Sequence, residues 1–289
     1  MNYKIPKVIA EIGCNHKGEY DIAIELITLA KECGANIAKF QKRNNKELLT
    51  EEQYSAPHPN PSNSYGESYG AHREYLEFSL KQHQNLKEFC EKIGIEYSTS
   101  VWDVTSAEEI STLKPSLLKV PSACNNHFDM LEILRDTYRG DVHLSFGMTT
   151  RNEEKAIIEF FEEKDQAKNR LVIYSCTSGY PVSFKDVCLL EITRLKNEYA
   201  HRVKDIGFSG HHLGIAIDNA AYTLGAAWVE RHFTKDRTWK GTDHAASLEP
   251  AGLRKLCRDL KATYEALHFK ESEILEVEQV QRNKLKFCK

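Results

Sequence analysis

No stretch of the chain approaches the roughly 18 consecutive apolar residues that a membrane span requires. The opening Met1-Asn2-Tyr3-Lys4-Ile5-Pro6-Lys7 also lacks the apolar run of a secretory leader. A cytoplasmic location is therefore expected. A basic excess is missing as well: 39 Lys and Arg stand against 42 Asp and Glu, a formal net charge of -3. Neither nucleic acid nor a membrane surface is expected as a partner. The eight cysteines, at 14, 33, 90, 124, 176, 188, 257 and 288, form no Cys-x-x-Cys pair. That argues against a disulfide framework and against a structural zinc site. The Gly-x-Gly-x-x-Gly turn of a dinucleotide-binding open sheet is absent too, because the first apolar run ends in Gly13-Cys14-Asn15-His16-Lys17-Gly18.

What is present is alternation. Short β-branched or apolar runs at Lys7 to Ile12, Asn36 to Gln41, Gly94 to Thr99, Leu117 to Val120, Val142 to Ser145, Leu171 to Ser175, Lys204 to Phe208 and Trp228 to His232 read as strands. Helical spacing separates them, at Tyr20 to Cys33, Leu76 to Ile93, Thr105 to Leu113, Phe128 to Asp136, Arg151 to Glu163, Val187 to Asn197, Ile215 to Leu224 and Glu249 to Leu267. Eight strand-helix units in 289 residues predict a (β/α)8 TIM barrel. It is expected to be one catalytic domain over residues 1–270, with a tail over 271–289. Between Arg43 and Glu74 the chain is polar and turn-rich, a length of irregular backbone that predicts a partly ordered lid or interface loop.

In such a barrel the site is built at the carboxyl ends of the strands. Those positions here are Glu11, Lys39, Gln41, Ser98, Thr99, Lys119, Ser122, Ser145, Tyr174, Ser175, Thr177, Ser209, His211 and His232. The stretch Gly207 to Pro250 holds four of the twelve histidines. His211 and His232 fall at consecutive strand ends, where two imidazoles can converge on one divalent ion. The alternative is a pair of hydrogen-bonded core or surface histidines. Lys39 and Lys119 sit within apolar strands, where an ammonium is costly without an anionic partner. With the neighbouring hydroxyls they point to a phosphate or carboxylate; pairing with a barrel glutamate, or a Schiff-base role, stays open.

Several motifs in this order resemble the sialic acid synthase (N-acetylneuraminate synthase) family. They are Val8 to Gly18, Ala38-Lys39-Phe40-Gln41, Leu144-Ser145-Phe146-Gly147-Met148, Cys176-Thr177-Ser178-Gly179-Tyr180-Pro181 and the Gly207 to Pro250 stretch. The resemblance implies a barrel that condenses phosphoenolpyruvate with an aldose, typically an N-acetylated hexosamine, giving a 2-keto-3-deoxy sugar acid and phosphate. It also implies Mn2+ or Mg2+ held by His211 and His232. Phosphoenolpyruvate would be held by Lys39, Thr99, Lys119, Ser122, Ser145, Ser178 and Ser209. Glu11, Gln41, Tyr180 and Asp243 would face the metal, its water or the aldose, with Glu11 steering the proton of the attacking water. A homodimer is a further expectation.

The chain also departs from the family pattern. Lys119-Val120-Pro121-Ser122-Ala123-Cys124 places Cys124 where the family has a glutamate resembling a sugar-binding carboxylate, and Ser209-Gly210-His211-His212 replaces Ser-Asp-His-Thr. The segment Glu276 to Phe287 resembles the linker that in many members precedes an antifreeze-like domain, which is not expected here. An acceptor other than N-acetylmannosamine, another phosphoenolpyruvate-dependent aldol synthesis on a sugar or sugar phosphate, and a non-catalytic or partner-dependent barrel are the competing readings. A basic cluster facing the acceptor, for which His212, Arg237 and Lys240 are the candidates, would mark a sugar phosphate.

Overall fold

A computed structural model describes residues 3–287. The strands are β1 (Lys7–Gly13), β2 (Ile37–Lys42), β3 (Glu96–Val101), β4 (Leu117–Val120), β5 (Asp141–Ser145), β6 (Leu171–Cys176), β7 (Asp205–Gly210) and β8 (Trp228–His232). They pair in parallel and in sequence order, and β8 returns to β1 to close the expected TIM barrel. Parallel strands need crossovers, and helices between them supply these on the outside.

Two apolar shells lie between strands and helices. One gathers Val101, Leu118, Leu144 and Ile173 with the helices Val104–Thr112 and Arg151–Glu162; the other gathers Ala10, Ala38 and Val229 with the helices Tyr20–Glu32 and Pro250–Ala266. The inward-facing residues are layered. Ile9, Ile37, Leu117, Val172 and Tyr174, with Trp228, fill the amino-terminal half of the barrel. Lys39, Ser98, Lys119, His143, Ser209 and Glu230 are buried above them. Apolar floor and polar upper half follow from period-2 alternation on each strand.

Four expected elements differ. β3 runs over Glu96–Val101 instead of Gly94 to Thr99 because Gly94 closes the preceding helix: at φ 75° its N–H reaches Cys90 and Glu91 carbonyls. The 43–74 stretch is largely ordered, with short helices Asn45–Leu48, Glu51–Ser55 and Tyr69–Tyr75 and a 3-10 turn Pro61–Asn63. Thr50 and Gln53 form a capping box, and Ser68 accepts from the Ala71 N–H. Those caps make helices too short to show periodicity, and the helix expected from Leu76 begins at Leu80. The helix at Phe128–Glu132 passes into a π turn, Ile133–Thr137. Glu276–Leu285 is helical, and among the described residues no helix is long and apolar enough to cross a membrane.

Candidate active site

At the carboxyl end of the barrel a cavity of about 410 Å3 takes in Glu11, Lys39, Gln41, Lys119, Ser122, Ser145, Ser178, Tyr180, Ser209, His211, His232 and Asp243. Those are the residues that the family resemblance implied, with one exception; of the other strand-end positions Ser98, Tyr174, Ser175 and Thr177 do not line it. Thr99 pairs across with Phe40, whereas Ser98 pairs with Lys39 and Ser100 with Gln41. Paired residues share a face, so Thr99 points to the outer shell and Ser100 takes the inward place, lining the cavity. Lys39 Nζ donates to Ser100 Oγ at 2.8 Å.

The lysines are not free. Lys39 contacts the Glu11 carboxylate and lies 3.7 Å from Glu230; Lys119 donates to Glu230 at 3.2 Å and rests 3.5 Å above the Tyr174 ring. Pairing with barrel glutamates is thus what compensates them. Burial works against the Lys39 ammonium, but Glu11 and Glu230 outweigh it and the net shift is upward. Burial pulls the Lys119 ammonium down in spite of Glu230. Glu230, opposed by burial but held by Lys119 and Lys39, drops to about 2, and burial raises the Glu11 carboxyl despite Lys39. Ser209 Oγ donates to Glu230 at 3.2 Å. Glu230 was not among the sequence candidates, although its place two before His232 puts both on one face of β8.

Hydroxyls converge beside the lysines. Ser122 Oγ accepts from the Gly147 N–H at 2.9 Å, and a Cβ on Gly147 would meet the Ser122 Oγ at 2.7 Å and clash with Ser178. The glycine lets strand ends four, five and six close to a single ring of donors. Cys124, expected to replace a sugar-facing glutamate, turns away into the outer shell, its thiol directed at the Val101 and Pro121 carbonyls.

The two imidazoles lie with ring centroids 5.4 Å apart. His211 Nδ1 engages the Thr177 carbonyl at 2.9 Å, which fixes its proton there and leaves Nε2 as an acceptor. Burial, with His232 beside it, lowers His211 to about 4, so it is neutral near pH 7. His232 Nδ1 is buried without a hydrogen-bond partner, 3.9 Å from Asp243. Two adjacent imidazoles, each with a ring nitrogen that no protein group engages, fit a divalent ion. Among the described residues no group of three or more His, Cys, Asp and Glu is gathered for a metal.

The mouth carries what sequence reading missed. Arg43, His58, Tyr69, His72, Arg73 and Trp102 line it, most of them from the 43–74 stretch. Arg43 Nε pairs with Glu77 at 2.5 Å. Arg73 is buried, has no acidic group within ion-pair distance among the described residues, and leaves its Nε unpartnered. It stacks over Tyr69 and Trp102 at 5.5 and 5.6 Å. The basic candidates named from sequence are elsewhere. His212 is sealed between Arg231 and Asp218 behind the barrel, Arg237 bonds the Ala245 carbonyl, and Lys240 lies over the Tyr65 ring.

A closed parallel barrel with buried lysines, a hydroxyl ring and a histidine pair at its carboxyl end defines a barrel enzyme built for a small, multiply anionic substrate. The model of the NeuB family matches residues 26–272, and the chain belongs to that family. It is a phosphoenolpyruvate-dependent transferase that forms a carbon–carbon bond. It is 38% identical to human N-acetylneuraminate-9-phosphate synthase over 96% of this chain and 76% of that protein. To N,N'-diacetyllegionaminic acid synthase of Campylobacter jejuni it is 30% identical, over 90% and 77%. The crystal structure of the Leptospira borgpetersenii sialic acid synthetase with citrate superposes with a TM-score of 0.81 at 30% identity, covering 98% of this chain and 93% of that one.

Proposed function

We propose that the protein condenses phosphoenolpyruvate with an N-acylated aldose that bears a phosphate, giving a sialic-acid-like 2-keto-3-deoxy sugar acid and inorganic phosphate. The observation that carries the phosphoenolpyruvate half is the buried pair Lys39 and Lys119 beside the ring of Ser100, Ser122, Ser145, Ser178 and Ser209. Two ammonium groups and five hydroxyls match a phosphate and a carboxylate held close together. Citrate, a small polyanion, is bound by the Leptospira relative.

His211 and His232 would hold Mn2+ or Mg2+, which when bound supplies Lewis-acid polarisation of the aldehyde oxygen. Gln41, Tyr180 and Asp243 border the same space and would orient the aldose. Lys39 and Lys119 hold the phosphate and carboxylate while C3 of phosphoenolpyruvate attacks the carbonyl carbon and positive charge develops at C2. Glu11 Oε1, already hydrogen-bonded by the Gln41 amide at 3.2 Å, would take a proton from the water that adds at C2. The tetrahedral intermediate then collapses with C–O cleavage, and phosphate leaves from the lysine cradle.

The acidic acceptor is argued from Arg73. A buried guanidinium facing a cavity without an acidic partner is satisfied by an anion brought in by the ligand. Arg43 beside it is already paired with Glu77, which leaves Arg73 as the unmatched charge, and the human relative is named for a 9-phosphate product.

The test is phosphate release from phosphoenolpyruvate with Mn2+ over a panel of aldoses, including N-acetylmannosamine and its 6-phosphate. Release that requires one aldose, is abolished by a chelator and is lost in His211→Ala is the expected result. Release with the neutral sugar at equal kcat/KM would remove the phosphate from the reading; no release with any acceptor would remove the reading itself.

A further inference from the structure

The mouth of the cavity is formed by two segments distant in sequence that touch at one place. The first is the 43–74 stretch, which contributes His58, Tyr69, His72 and Arg73 to the lining. The second is the loop after β8, which contributes Thr242 and Asp243. Tyr65 joins them. Its hydroxyl donates to the Lys240 carbonyl at 2.6 Å, while the Lys240 ammonium lies 4.8 Å from the ring centroid. Next to it, the Gly241 N–H is directed at Asn63 Oδ1, at 3.4 Å. The same tyrosine is built into its own segment: it stacks on Tyr75 at 5.2 Å and on His72 at 5.9 Å, and its N–H donates to His72 Nδ1 at 3.1 Å.

At its other end the β8 loop is tied independently. Ser247 Oγ donates to the Asp243 carbonyl at 2.7 Å and receives Asn15 Nδ2 at 3.0 Å. Residues 240–243 are thus pinned at both ends, at one end by the barrel and at the other by Tyr65. The phenol is half-buried, and burial together with Tyr75 raises it to about 12, so its proton is in place across the working range.

We propose that Tyr65 is a positioning residue for acceptor recognition: its bond to the Lys240 carbonyl fixes Asp243 and the His72–Arg73 turn relative to one another across the mouth. This rests on the reading that Asp243 and Arg73 meet the acceptor. It assigns Tyr65 no contact with phosphoenolpyruvate, whose cradle lies deeper in the barrel. A lost hydrogen bond of ordinary strength corresponds to about a fivefold change. Tyr65→Phe, which keeps the stacking, should raise the acceptor KM about fivefold and leave the phosphoenolpyruvate KM within about twofold. Tyr65→Ala, which also loses the stack, should raise the acceptor KM further.

The experiment measures both KM values for the full chain and for the two variants, with hydrogen exchange followed over residues 57–66 and 238–243. Faster exchange in both segments of Tyr65→Phe, with the acceptor-only KM effect, is the expected result. Unchanged exchange at 238–243, an unchanged acceptor KM, or an equal rise in both KM values would overturn the proposal. If the wild-type protein turned over no acceptor, the functional reading would fall, and the exchange data would still decide whether Tyr65 joins the two segments.

Discussion

Replacing Glu230 by glutamine tests how the buried charges are balanced. Lys39 and Lys119 share Glu11 and Glu230, and Glu230 is the only carboxylate within ion-pair distance of Lys119 among the described residues. Glu230→Gln keeps the shape but leaves Lys119 without a counter-charge at almost no solvent exposure. Breaking one half of a buried pair costs about 3 kcal/mol at the lower end of what is measured. With the unfolding entropy expected of a chain this size, that is a fall in Tm of about 5 °C. Phosphoenolpyruvate should reverse it, because the phosphate and carboxylate supply the missing negative charge. The assay is a denaturation series on wild type and variant, with and without saturating phosphoenolpyruvate. The expected pattern is a deficit of about 3 kcal/mol without ligand that narrows to under about 1 kcal/mol with it. A variant as stable as wild type without ligand, or a deficit that phosphoenolpyruvate leaves intact, would refute both the pairing argument and the placement of the anion at these lysines.

Three further outcomes are expected. Arg73→Ala should lower kcat/KM for a phosphorylated acceptor by about 10- to 100-fold, the range for a lost charge-assisted contact, with little change for its neutral counterpart; steady-state kinetics on matched acceptors measures it. Ser100→Ala should raise the phosphoenolpyruvate KM several-fold while Thr99→Val leaves it unchanged, which separates the inward from the outward residue in a single titration. His16 and His83 are buried and held neutral, each lowered to about 3, by burial first and then by His83 and Arg43 for His16 and by Lys42 for His83. Their folded-state values lie below the unfolded ones, so the unfolded state binds more protons as pH falls through about 6.5. The two together should account for about 3 kcal/mol of the stability lost between pH 7.5 and 5.5, and His83→Gln should take its own share, about 1.4 kcal/mol, out of that loss in urea titrations.

The sequence carried the barrel because each strand is marked by β-branched residues and bounded by a glycine or a polar turn, and each helix by its period. Most of the cavity followed from one rule, that chemistry gathers at the carboxyl ends of the strands. Thr99 was misplaced where that rule needs a register. Ser98, Thr99 and Ser100 are all small and polar, so alternation gives no face, and only pairing with Lys39 and Gln41 on β2 decides which point inward. Glu230 was legible in principle, since Trp228, Glu230 and His232 alternate on β8. Arg43 and Arg73 were not: the helix that carries Arg73 spans seven residues and is set by the Ser68 cap instead of an apolar stripe. Arg231 shows the opposite case, a charged residue in a strand that serves the outer shell, bonded to Asp218 and the Gly214 carbonyl.

The apolar floor of Ile9, Ile37, Leu117, Val172, Tyr174 and Trp228 has a kinetic consequence. A vessel stoppered below has one opening, so its occupants pass in series. On the proposed function, with the lysine cradle at depth and Arg73 and Asp243 at the rim, phosphoenolpyruvate would enter before the aldose, and the sugar acid would leave before phosphate. Such an order would make phosphate a competitor of phosphoenolpyruvate and the aldose, once seated, a cork that holds the first substrate in place until it reacts.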